Sequence, residues 1–150
     1  MIRITPMTKN DFYHAHIPTV FHDEEYARHY YEVSSDGKSI FKFSMQSEIF
    51  PVFIEMSSVV AVGCDQTVIF FCLDNNKIIK RMLLSSFFYD FKLSDKYIYI
   101  ICEIEVIILL RENLEEYKNI EFIEYIDHVD INKSDMLVHF IDGSSESICI

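Results

Sequence analysis

Short runs of β-branched and aromatic residues alternate with small clusters of Asp, Asn, Ser and Gly along most of this chain. Runs of five or six apolar residues between polar turns are a strand signal, too short for core helices. The pattern predicts strands over 30–34, 39–45, 52–55, 59–63, 67–73, 78–84, 88–93, 97–103, 106–111, 120–126, 129–132, 136–141 and 145–150. Helix signals are confined to 23–28, where Asp23, Glu24 and Glu25 stand at a helix N-terminus, and to one turn over 113–117. The expected fold is all-β, an antiparallel meander of short strands. With 150 residues, one domain is expected: a divergent N-terminal segment over 1–37 and a β meander over 38–150.

The rhythm repeats. Shifting Val59–Cys64 by about 38 residues places Val59, Val60, Ala61 and Val62 on Tyr97, Ile98, Tyr99 and Ile100, and Cys64 on Cys102. The same shift places Thr67-Val68-Ile69-Phe70-Phe71 on Glu105-Val106-Ile107-Ile108-Leu109, and Ser47-Glu48-Ile49-Phe50 on Ser85-Ser86-Phe87-Phe88. A fainter third copy aligns Asp90-Phe91-Lys92-Leu93 with His128-Val129-Asp130-Ile131, and Ile98-Tyr99-Ile100 with Met136-Leu137-Val138. Each unit reads as four strands joined by turns, which over residues 45–150 resembles the blades of a β-propeller. The resemblance lies in strand rhythm, without the Gly-His and Trp-Asp dipeptides of WD40 repeats. A closed ring needs at least about four blades. The expected form is therefore a partial propeller, or a curved sheet or sandwich, with strand edges open to pairing into a homodimer.

Charge narrows the partner classes. The formal charge is −11, and it is uneven. Residues 101–150 hold twelve acidic side chains against three basic ones, Arg111, Lys118 and Lys133, a formal −9. Such a field opposes nucleic acid and anionic membrane surfaces and steers basic proteins inward. Three glycines cannot build a phosphate-cradling loop, and no nucleophile elbow, P-loop or zincin motif is present. Cys64, Cys72 and Cys102 lie in apolar runs without a CxxC and read as buried thiols of a reduced compartment. There is no signal-peptide pattern at the N-terminus and no span long enough for a bilayer. A cytoplasmic location, no enzyme activity and no cofactor are expected.

Two constellations carry candidate chemistry. His14-Ala15-His16, with His22, His29 and Asp23, Glu24 or Glu25 nearby, would put two imidazoles on one face if the segment were a strand. Without a third ligand at a recognised spacing, no metal site is assigned there. Glu103 and Glu105 alternate and so share a face, but nothing nearby signals the cleft that carboxylate catalysis requires. The acid-rich C-terminal third also carries Tyr97, Tyr99, Tyr117 and Tyr125. Aromatic anchors among carboxylates suit a surface that holds a basic protein. The candidate partner-binding residues are Glu112, Glu115, Glu116, Tyr117, Glu121, Glu124 and Asp127.

In size, charge and composition the chain resembles the bacterial immunity proteins paired with contact-dependent and other polymorphic toxins. That resemblance implies stoichiometric covering of the active site of a basic toxin domain, such as a nuclease. The alternative expectation is a propeller-like scaffold or regulatory module that joins a larger assembly through its strand edges.

Overall fold

Fifteen strands and one short helix form four sheets in the computed structural model, which describes residues 1–150. The chain divides into two compact units, Met1–Met82 and Leu83–Ile150. No helix is long and apolar enough to cross a membrane.

In the first unit, β1 (Ile2–Met7), α1 (Lys9–His14), β2 (Thr19–Phe21), β3 (His29–Ser35) and β4 (Lys38–Met45) build a sheet of order β1-β3-β4-β2. Its β2–β4 pair is parallel. The β3–β4 hairpin turns on Asp36 and Gly37, both at positive φ, the conformation that two-residue hairpin loops need and that Asp-Gly supplies readily. The second sheet runs in sequence order through β5 (Val52–Met56), β6 (Val59–Cys64), β7 (Thr67–Cys72) and β8 (Lys77–Leu83). Strands β6 and β7 are buried along almost their whole length, as expected of inner strands covered on both faces. Phe41, Phe43, Val33 and Met45 of the first sheet share one core with Val60, Val62, Ile69 and Phe71 of the second.

The first sheet of the second unit repeats the plan of the β5–β8 sheet. Strands β9 (Phe88–Leu93), β10 (Tyr97–Cys102), β11 (Glu105–Leu110) and β12 (Glu116–Glu121) form a four-stranded sheet with β9 and β12 at its edges. Its inner strands begin 38 residues after β6 and β7 and carry the same burial pattern position for position. Strands β13 (Ile126–Ile131), β14 (Asp135–Phe140) and β15 (Ser145–Cys149) form a three-stranded sheet. Along β14, buried and more exposed residues alternate, the mark of a strand with one face on the core and one towards water.

Several local expectations need correction. Residues 23–28 form a turn, not a helix. The Asp23 carboxylate accepts from the Glu25 and Tyr26 N–H groups, so the acid closes a local turn. The helix lies instead at Lys9–His14, where the Thr8 hydroxyl caps the Asp11 N–H at 3.0 Å. Residues 113–117 are not helical: Leu114, at φ 63°, leads out of a turn and Glu116 begins β12. The run 120–126 is two strand ends and a loop. Phe122 N–H donates to Ile104 O, which closes β12, and Ile126 N–H donates to Glu103 O, which opens β13.

Lys42 explains how so short a helix stays docked. Its side chain is buried, and Nζ lies 4.8 Å from the Phe12 ring centroid. The ammonium donates to the carbonyls of Phe12 and Ala15 at the C-terminal end of α1, the end that carries partial negative charge. Lys42→Met retains the stem and removes the donor. It is expected to cost about 1–3 kcal/mol, the range for buried acceptors left unpaired. Hydrogen exchange at the Phe12 and Ala15 amides should accelerate, while exchange in β6 and β7 stays unchanged.

A candidate partner-docking surface

The acidic residues singled out in the sequence lie along the exposed edge of the second unit. Glu116, Tyr117 and Glu121 are on the edge strand β12. Glu112 and Glu115 occupy the turn before it, Glu124 the loop after it, and Asp127 the second position of β13. Glu112, Glu115, Glu116, Glu121 and Glu124 are exposed and form no ion pair. The structure spreads these acids along an edge and does not gather them at one point.

Tyr117 is held more firmly than its neighbours. A register shift between Ile108 and Leu109 leaves it without an opposite residue on β11, a bulge that re-aims its side chain. The ring stacks on Tyr97 at 5.0 Å between centroids, with Lys118 Nζ 5.5 Å from the Tyr117 centroid. A hydrogen bond between the two phenols, helped by partial burial and neighbouring tyrosines, holds the Tyr97 hydroxyl above its ordinary pKa.

Beyond β12 the loop presents apolar groups as well as charge. Phe122 turns inward and meets Phe140 edge-on at 5.4 Å. Ile123 is consequently driven outward and is 97% exposed. Tyr125 and Ile141 are also exposed, and Ile141 N–H donates to Tyr125 O at 3.0 Å. Ile123, Tyr125 and Ile141 are thus apolar groups in segments that also carry Glu121, Glu124 and Asp127. Ile123 and Ile141 were not among the candidate residues, since each fell within a run expected to be a strand, 120–126 and 136–141.

The carboxyl pair Glu103 and Glu105 has a different role. Glu105 is 1% exposed. Its Oε1 accepts from Ser85 N–H at 3.2 Å, Ser85 Oγ at 2.6 Å and Ser86 Oγ at 3.3 Å, while Glu103 Oε1 accepts from Phe87 N–H at 3.1 Å. In the first unit Asp65 does the same, accepting from Gln46 and Ser47 N–H at 2.9 Å each. Ser47 and Ser85 are the positions that the 38-residue shift superimposes. Each carboxyl therefore clasps the segment that leads into its own sheet; the donors Ser47 and Ser85 recur at the 38-residue interval, whereas the acceptors differ, since the same shift places Asp65 on Glu103 and Thr67 on Glu105.

All four cysteines are free thiols. Burial raises the pKa of Cys64 and Cys102, with Asp65 adding to it at Cys64 and Glu105 at Cys102. Cys72 is half-buried and Cys149 is exposed.

The histidines also rearrange. His14 ends α1, its Nδ1 2.7 Å from Asn10 O, and His16 follows the helix. The segment is not a strand, so the alternation of the two rings does not put them on one face. The side chains that converge closely enough to hold a metal ion are His128 and Asp130 of β13 and His139 of β14. Their sequence signal was the same alternation, His128-Val129-Asp130, on a segment that is a strand.

No protein-family model and no curated protein sequence matches the chain. Among solved structures it is similar to two computationally designed proteins, Ika8 and Ika4, each with a TM-score of 0.63 and 12% identity over 81% of this chain. The matches cover 40% of Ika8 and 79% of Ika4. It is also similar to BamB from Moraxella catarrhalis, with a TM-score of 0.55 and 14% identity over 82% of this chain and 41% of that one. The chain thus spans about two fifths of the length of Ika8 and BamB. These neighbours have propeller-like folds. The class defined here is an all-β protein of propeller-blade-like sheets, and at such identities the likeness is one of fold.

Proposed function

We propose that this chain is a non-catalytic interaction module of propeller-like fold that docks a basic protein partner on the acidic edge of its second unit. The observation that carries the reading is the exposed apolar group of Ile123, Tyr125 and Ile141 in segments rich in unpaired carboxylates. Apolar anchors surrounded by charge supply affinity from desolvation and rate from steering. A field of this sign disfavours nucleic acid. The four free thiols suit a cytoplasmic location. The open edges of β12 and β15 are available for strand pairing with a second copy of the chain. A second reading, immunity to a basic toxin, is favoured by the formal −9 of residues 101–150. In that case the partner is a toxin domain and the consequence of docking is occlusion of its active site.

The test is capture from the native host, with partners identified by mass spectrometry, using the wild type beside Glu115→Lys/Glu116→Lys/Glu121→Lys/Glu124→Lys. The quadruple variant is expected to remain folded and lose the partner. Binding of the wild type should weaken by at least roughly tenfold from low to high salt, as steering and rim charge are screened. Binding that ignores salt, or a variant that retains full affinity, would move the interface elsewhere. A partner with toxin activity that the chain inhibits selects the immunity reading, and a multi-protein assembly selects the scaffold.

A further inference from the structure

We infer that the outer face of the β13–β14 hairpin is a binding site for a divalent transition-metal ion, with His128, Asp130 and His139 as its ligands. His128 and Asp130 are two apart on one strand and so point to the same side. His139 stands directly opposite His128 in the register of the hairpin. The imidazoles stack nearly parallel, 4.1 Å apart with an 11° interplanar angle. His139 Nε2 is 2.9 Å from Asp130 Oδ2. One ligand atom from each of the three residues lies within 4.8 Å of the others. Bonds of about 2.0–2.2 Å to one tetrahedral ion bring such atoms to roughly 3.3 Å from one another. Closure therefore requires side-chain shifts of roughly 1 Å, for which the partly exposed His128, Asp130 and His139 side chains have space on the solvent side.

The neighbouring geometry orients the ligands. Between Ile126 and His128 the register slips, so Asp127 is an extra residue on β13. Its Oδ2 lies 2.6 Å from His128 Nδ1. A carboxylate that accepts the Nδ1 proton leaves the Nε2 lone pair for a metal, the arrangement that commonly supports metal-binding histidines. Asp127 and Asp130 place two carboxylates beside the imidazoles, which draws a cation. Two imidazoles and one carboxylate suit Zn²⁺, Co²⁺, Ni²⁺ or Cu²⁺. Three protein ligands on a solvent-facing sheet leave a coordination position for water or for a side chain from another molecule.

The experiment titrates the full chain with Zn²⁺ alone by calorimetry, and with Co²⁺ as a spectroscopic probe. One ion per chain is expected, with Co²⁺ d–d bands and no thiolate charge-transfer band. His128→Ala and His139→Ala should each weaken binding at least roughly tenfold, and Asp127→Asn by about tenfold. Cys149→Ser and the double variant His14→Ala/His16→Ala should bind as the wild type does. The His128 and His139 side chains are 55% and 30% exposed, and unchanged circular dichroism of each variant verifies its fold. A wild type that takes up no stoichiometric Zn²⁺ overturns the proposal. So does binding that survives His128→Ala/His139→Ala, or that disappears with Cys149→Ser or the His14/His16 variant.

Discussion

Glu105→Ala is expected to destabilise the protein by about 1–3 kcal/mol, a large effect for a polar side chain. The carboxyl is buried and accepts from three donors on Ser85 and Ser86. Removing it leaves the buried Ser86 hydroxyl without its acceptor, together with the N–H and hydroxyl of Ser85, an exposed residue that water can reach, at roughly 1–3 kcal/mol for each group that finds no new partner. The hydroxyls can rotate towards other acceptors and the amide cannot, which keeps the sum near the lower end. Glu121 provides an internal control, since it pairs directly across from Glu105 on β12 and is exposed. Glu121→Ala should change stability by no more than about 0.5 kcal/mol. Urea unfolding of both variants checks the contrast. Equal losses would mean that the clasp contributes nothing beyond an ordinary strand position.

Phe41→Ala should cost about 3–5 kcal/mol, the range for emptying a large aromatic site in a core. Phe41 is completely buried, and its ring lies 4.8 Å from that of Phe71. It belongs to the core shared by both sheets of the first unit, so its cavity opens between two packed layers that relax only in part. Phe50→Ala provides the comparison. Phe50 touches Tyr31 edge-on at 5.8 Å but is 61% exposed, and should cost about 1 kcal/mol or less. Thermal unfolding distinguishes the two. A loss below about 1 kcal/mol at Phe41 would show that the core re-packs.

Much of the β architecture was readable from period and spacing. The inner strands β6, β7, β10 and β11 stood out because a strand covered on both faces needs apolar residues at nearly every position. The 38-residue shift was readable for the same reason, since two sheets of one plan demand the same apolar run at the same interval. Strand β1 was not readable. Arg3, Thr5 and Pro6 stand outward beside buried Ile2, and six residues of mixed character become a strand only when β3 offers a ladder. The short β2 was equally silent, because its place is set by a parallel pairing with β4.

The candidate surface divides in the same way. Its charge was visible in composition, and the structure puts those carboxylates on an edge strand, its two flanking connections and the start of β13. Ile123 and Ile141 were hidden, because exposure of an isoleucine depends on which neighbour the core accepts, here Phe122 and Phe140. The histidines show the limit most sharply. The alternation at His14/His16 and that at His128/Asp130 are equivalent as strings, and only the helix cap at Thr8 and the hairpin register of β13–β14 separate them.

The amino-acid sequence by itself determined the class of this protein: short strands in repeated blade-like units, a core of Phe, Ile and Val, and a negative field concentrated in the last third. Those properties follow from local period and from counting, which need no knowledge of distant partners. Tertiary structure alone decided which carboxyls clasp a neighbouring segment and which stand free, and which histidines converge. Those outcomes depend on the register between neighbouring strands and on where each sheet meets the segment leading into it, and a register is set by the packing of whole sheets.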